Sequence, residues 1–111
     1  MSTAAAYRDQ WAATVTEAAF QAQVIALAKT LGWSVYHTHD SRRSEPGFPD
    51  LVLVHPQRGV RFRELKKHNG RITRDQNRWL ADLLHAGADA DTWRPGDLIS
   101  GRIERELKRA A

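Results

Sequence analysis

The chain has 111 residues, 41% hydrophobic and 27% charged, enough for one globular domain and too few for two of ordinary size. It contains no cysteine, which excludes disulfides, thiolate zinc sites and cysteine nucleophiles. Seventeen Lys and Arg against thirteen Asp and Glu give a net charge of +4; the excess lies in residues 57–111 and suggests a polyanionic partner.

No apolar run reaches the ~18 residues of a membrane helix. The first residues, Met-Ser-Thr-Ala-Ala-Ala, have neither a basic start nor a continuous apolar stretch. No membrane partner is expected, and the default compartment is the cytoplasm.

Residues 1–15 are Ala-rich and read as an N-terminal arm, a frayed helix or loose segment with Tyr7 and Trp11 as docking side chains. Residues 16–111 read as a single domain. Thr16 is a good N-cap, and Glu17 sits in the first turn, where the helix dipole favours an anion. Phe20, Val24, Leu27 and Leu31 recur at helical spacing until Gly32. Trp33 to Thr38 reads as a strand. Pro46, Gly47 and Pro49 punctuate the loop that follows.

Leu51 to His55 and Val60 to Lys66, joined across Pro56-Gln57-Arg58-Gly59, predict a hairpin. Thr73 and Gln76 form a capping-box pattern ahead of Trp79, Leu80, Leu83 and Leu84. Ala88 to Trp93 reads as a short strand. Pro95-Gly96-Asp97 opens a last helix with Leu98, Ile99, Ile103 and Leu107 inward and Arg102, Arg105, Lys108 and Arg109 largely outward. The predicted order is α-β-β-β-α-β-α, an α/β fold with a small mixed β-sheet flanked by helices.

The hairpin carries the chemistry. Strand period places Val60, Phe62, Glu64 and Lys66 on one face, and the two apolar residues predict that this face is buried. A buried carboxylate and ammonium without partners would cost several kcal/mol. Asp50 stands where the partner strand begins, and a tight hairpin brings it opposite Glu64. Two close carboxylates repel, and a hard divalent cation resolves the repulsion. Lys66 beside such an ion could orient or deprotonate a water, or offset charge on an attacked phosphate. Glu17 is a candidate fourth member. Each piece has a plainer reading: Glu-x-Lys as a surface pair, Asp50 as a turn residue, Glu17 as a helix-dipole partner, Gln76 as a cap. Their joint spacing is what favours a site.

Pro49-Asp50, thirteen residues, then Glu64-Leu65-Lys66 resembles the PD-(D/E)-x-K nuclease superfamily. Thr16-Glu17, Phe20-Gln21, Val24-Ile25, Gly32-Trp33, Gly47-Phe48-Pro49-Asp50-Leu51, Gly70-Arg71, Gln76, Trp79-Leu80 and Trp93-Arg94-Pro95 narrow this to a resemblance to the VRR-NUC domain, the virus-type replication-repair nucleases. The resemblance spans residues 16–108 and leaves the N-terminal arm outside.

It implies a restriction-endonuclease-like core and Mg²⁺- or Mn²⁺-dependent hydrolysis of DNA phosphodiesters. Asp50 and Glu64 match the metal-binding carboxylates, with the Leu65 backbone carbonyl as a further ligand. Lys66 matches the catalytic lysine, Glu17 the helix-one acid and Gln76 the glutamine of the following helix. Similar stand-alone domains imply a homodimer acting on branched, Holliday-junction-like DNA. Arg42, Arg43, Lys67, Arg71 and Arg74 surround the expected site and are candidates for gripping the DNA backbone. Two other readings stay open: a restriction-type or nicking nuclease on unbranched DNA, and a non-catalytic DNA-binding module of the same fold.

Overall fold

The computed structural model describes residues 3–38 and 44–110. Nine elements follow in chain order: α1 (Thr3–Thr14), α2 (Glu17–Thr30), β1 (Ser34–His37), β2 (Leu51–His55), β3 (Gly59–Leu65), α3 (Arg74–His85), β4 (Asp89–Trp93), α4 (Pro95–Ile99) and α5 (Arg102–Lys108). The strands form one sheet in the order β1-β2-β3-β4, antiparallel at the first two junctions and parallel at the last. Among the described residues, no helix is long and apolar enough to cross a membrane.

Helix α2 begins where the sequence places it. The Thr16 hydroxyl accepts from Ala19 N at 3.1 Å and satisfies one of the free N–H groups of the first turn. Its buried stripe, Phe20, Val24 and Ala28, packs with Leu51, Leu53, Leu65 and Trp93 of the sheet and with Ile103 and Leu107 of α5. These two helices cover one sheet face. Helix α3 lies toward the other, where Phe48 sits edge-on between Phe62 and Trp79, ring centroids 6.3 and 5.1 Å away.

Three expectations change. The N-terminal arm contains a regular helix, α1, which packs against α4, with Trp11 and Val15 against the core. The last helix is two: Gly101, at φ +82°, breaks it between α4 and α5.

The third change is the buried face of β3. Val60 is exposed and Phe62 half-buried, whereas Arg61, Arg63 and Leu65 of the opposite face are buried. The arginines enter the core because their planar heads find both rings and acids. Arg61 stacks on Trp33 and Arg63 on Trp93, at 4.8 and 4.9 Å from the ring centroids. Arg61 pairs with Asp89 at 3.3 Å. Arg63 pairs with Asp89 at 2.8 Å and with Glu106 at 3.0 Å. Glu106 also accepts from Trp93 Nε1 at 3.0 Å and from Arg102 Nε at 2.6 Å. Arg102, expected to point largely outward, is therefore partly tied inward, whereas Arg109 stays exposed as expected while reaching Asp89 at 3.0 Å.

Candidate active site

The acids meet at one end of the hairpin. Register pairs Leu51 with Arg63, so Asp50 stands next to Glu64 one step further along. Asp50 is held from both sides. Its carbonyl accepts from Thr38 N at 3.0 Å, extending the β1 ladder. Its Oδ2 accepts from Leu65 N at 2.8 Å, which fastens the carboxylate to β3. The chain before it is equally fixed: Pro49 is buried, Phe48 is wedged between aromatic rings, and Gly47 lies directly on the α3 backbone.

Glu64 is 1% exposed. Burial, a hydrogen bond with Asp50 and the Asp50 charge push its carboxyl well above the usual carboxylate range, against the pull of Lys66. Its Oε2 is buried with no hydrogen-bond partner. Glu17 is raised as well, first by desolvation and then by Asp50, and is eased by Lys66 and Lys67. Each of these groups therefore feels the others. Lys66 is anchored through its backbone, whose N–H donates to Trp93 O at 3.1 Å across the β3–β4 junction.

The donor set fits a hard divalent cation. Two carboxylates that cannot both ionise comfortably, one with an orphaned buried oxygen, are what a cation would relieve. Among the described residues, no three His, Cys, Asp or Glu groups converge tightly enough to cage an ion by themselves. That suits an ion with few protein ligands and several waters.

The remaining predicted residues separate. Lys67, Arg71 and Arg74 are exposed, on the loop after Lys66 and at the start of α3. Arg42 and Arg43 lie outside the described residues. The Gln76 side chain is used in the cap: its Oε1 accepts from Thr73 N at 2.9 Å, and the Thr73 hydroxyl accepts from Gln76 N at 3.2 Å. Sequence reasoning gave Arg94 no role. Its Nη1 donates to Lys67 O at 3.0 Å and Gly70 O at 2.8 Å, and so fixes the loop that follows the catalytic lysine candidate. Only its place beside Trp93 and Pro95 pointed to it.

Comparisons with known proteins bear on the family and the fold. The family profile described as the VRR-NUC domain matches residues 5–94. A solved structure described as a VRR_NUC domain is similar at 28% identity and a TM-score of 0.65, over 79% of this chain and 94% of its own. Among curated proteins, none matches. The profile match starts inside α1 and stops at Arg94, whereas the quoted motifs had suggested residues 16–108.

Proposed function

Because the chain belongs to the VRR-NUC domain family, we propose that it is a Mg²⁺-dependent DNA endonuclease that works as a homodimer on branched, Holliday-junction-like DNA. Membership itself gives the coarser statement: a nuclease-like domain with DNA as its substrate. The observation that supports metal dependence is the buried, unpartnered Glu64 Oε2 beside Asp50, while the branched substrate and the second copy rest on the family resemblance. A cluster of this kind costs folding stability and has no structural benefit of its own.

Asp50, Glu64 and the Leu65 carbonyl are the groups that would hold Mg²⁺, or Mn²⁺ in its place, with Glu17 reached through water. When bound, such an ion supplies polarisation of the scissile phosphate and a water of lowered pKa. Lys66 orients the attacking water and offsets charge on the phosphate as its bond to the leaving oxygen breaks. Lys67, Arg71 and Arg74 hold the DNA backbone, so binding weakens steeply with added salt. Gln76 acts by setting the start of α3 beneath the Asp50 loop rather than by touching substrate.

The test is cleavage of matched junction, flap, linear and supercoiled DNAs by the wild type and by Lys66→Ala, with and without Mg²⁺. Mg²⁺-dependent cutting that prefers the junction and drops at least ~100-fold in Lys66→Ala is expected. Equal rates in the two proteins would remove the role given to Lys66. Cutting of linear or supercoiled DNA alone would favour the restriction-type or nicking reading. Salt-sensitive binding with no cutting would favour a DNA-binding module.

A further inference from the structure

Lysine carries its ammonium on a flexible stem, which aims at nothing until its surroundings confine it. Lys66 is half-buried, and its backbone is fixed through the N–H bond to Trp93 O. Its side chain is bounded by the loop that follows. Gly70 folds back onto it: a Cβ built on Gly70 would stand 3.5 Å from Lys66 Cδ and 3.4 Å from Lys67 Cγ, ordinary contact distances. The chain at Gly70 thus lies along both lysine stems. The Gly70 N–H donates to Lys67 O at 3.0 Å and closes the curl.

Lys67, His68 and Asn69 are exposed, so packing does little to hold this curl. Among the described residues, Arg94 is the one side chain that hydrogen-bonds it. A single nitrogen, Nη1, gathers three carbonyls: Gly70 O at 2.8 Å, Lys67 O at 3.0 Å and His68 O at 3.5 Å. Arg94 is itself anchored. Its own N–H donates to Asp97 Oδ2 at 2.7 Å, and buried Pro95 follows it. Among the described residues Arg94 forms no ion pair, so its full charge acts on the carbonyls it holds. Hydrogen bonds from a charged donor are the strong ones.

We infer that Arg94 is a positioning residue for the reaction: by holding residues 67–70 in their curl it keeps Gly70 against the Lys66 stem and so sets where the ammonium points. The inference rests on the role given to Lys66 above and names the residue through which that role is set. Arg94 acts through Lys66 and does not itself touch the substrate.

A double-mutant cycle on the full chain tests it, with Mg²⁺ and the DNA of the above panel that the wild type cuts fastest. In Arg94→Gln, single-turnover cleavage at saturating protein is expected to fall about tenfold. In a Lys66→Ala background the same change is expected to alter the residual rate less than about twofold, because residues that act as a unit are not additive. Arg94→Lys, whose ammonium can donate to the same carbonyls, should recover most of the rate. Gly70→Val leaves Arg94 intact and crowds the lysine stem; Gly70 has no left-handed φ, so the backbone accepts a side chain there. It too should slow cleavage when Lys66 is present and not when it is absent. Far-UV circular dichroism confirms folding, and Gly70→Val carries the cycle if Arg94→Gln does not fold. Trypsin reads the clamp without DNA: cutting after Lys67 should quicken about tenfold in Arg94→Gln, while cutting after Lys29 within α2 should not. Equal losses in the two backgrounds, or an unchanged trypsin rate at Lys67, overturn the inference. A wild type that cuts DNA no faster than Arg94→Gln ends this inference alone; a wild type that cuts no DNA ends the nuclease reading, and this inference with it.

Discussion

Gly47→Ala probes how the site is built, and Gly87→Ala is its control. Both glycines have φ +87°, so an alanine at either meets the same left-handed backbone penalty, about 1–2 kcal/mol. Their surroundings differ. At Gly87 a Cβ meets nothing within 4 Å. At Gly47 it falls 2.3 Å from Asp75 C, 2.5 Å from Asp75 O and 2.6 Å from Gln76 N. Those are backbone atoms of a capped helix start and cannot swing aside. The loop must move by roughly an ångström, which adds about 1–3 kcal/mol of packing cost. Gly47→Ala should therefore lose about 2–5 kcal/mol and Gly87→Ala about 1–2 kcal/mol in urea-induced unfolding. The displaced loop carries Asp50 three residues on. At a temperature where both variants remain folded, cleavage by Gly47→Ala should fall at least ~10-fold while Gly87→Ala cuts like the wild type. Equal stability losses, or a wild-type rate in Gly47→Ala, would refute the view that contact with α3 sets the position of Asp50.

Two further outcomes concern charge. Burial alone would raise the Glu106 carboxyl, but hydrogen bonds from Trp93, Arg102 and Arg63 outweigh it and hold it below its ordinary value; Asp89 is likewise lowered by Arg63, Arg109 and Arg61 against its burial. Groups lowered in this way stabilise the fold above the unfolded carboxylate range near ~4 and lose that contribution as pH falls through their folded values. Urea midpoints should thus decline below about pH 4, and Glu106→Ala should cost about 3–5 kcal/mol at neutral pH while flattening the acid decline. A variant that keeps the full acid decline would remove Glu106 from the account. Glu64→Gln should act in the opposite sense: folding no longer has to protonate a buried carboxylate at this position, so Tm without divalent cation should rise by a few degrees, and the Tm gain on adding Mg²⁺ should vanish. A Mg²⁺-induced gain that persists in Glu64→Gln would place the ion elsewhere.

The site was more legible in the sequence than the core beneath it. The hairpin announced itself through two apolar runs around a turn, and the thirteen-residue spacing carried Asp50 to Glu64. Helix caps at Thr16 and Thr73 are local patterns, and both form. The inward turn of Arg61 and Arg63 had no local signal. Hydrophobic periodicity favours Val60 and Phe62, because it scores an arginine by its charge and not by its apolar stem. The partners that make burial tolerable, Asp89 and Glu106, lie 26 and 43 residues from Arg63 and are recognisable only once the sheet is assembled. Helix α1 was obscure for a different reason: it has no buried residue, so no apolar stripe marks it. Gly101 was visible as a glycine, but its left-handed φ was not.

Helix α5 lies past the last residue matched to the family, yet Ile103 and Leu107 are sealed within the core and the Leu107 carbonyl receives the Trp33 indole N–H at 3.0 Å. Anyone grafting this nuclease module into a chimaera by cutting at the homology boundary would strip the roof from its hydrophobic interior. The portable unit extends through Arg109, whose carbonyl still engages Arg61 at 2.9 Å.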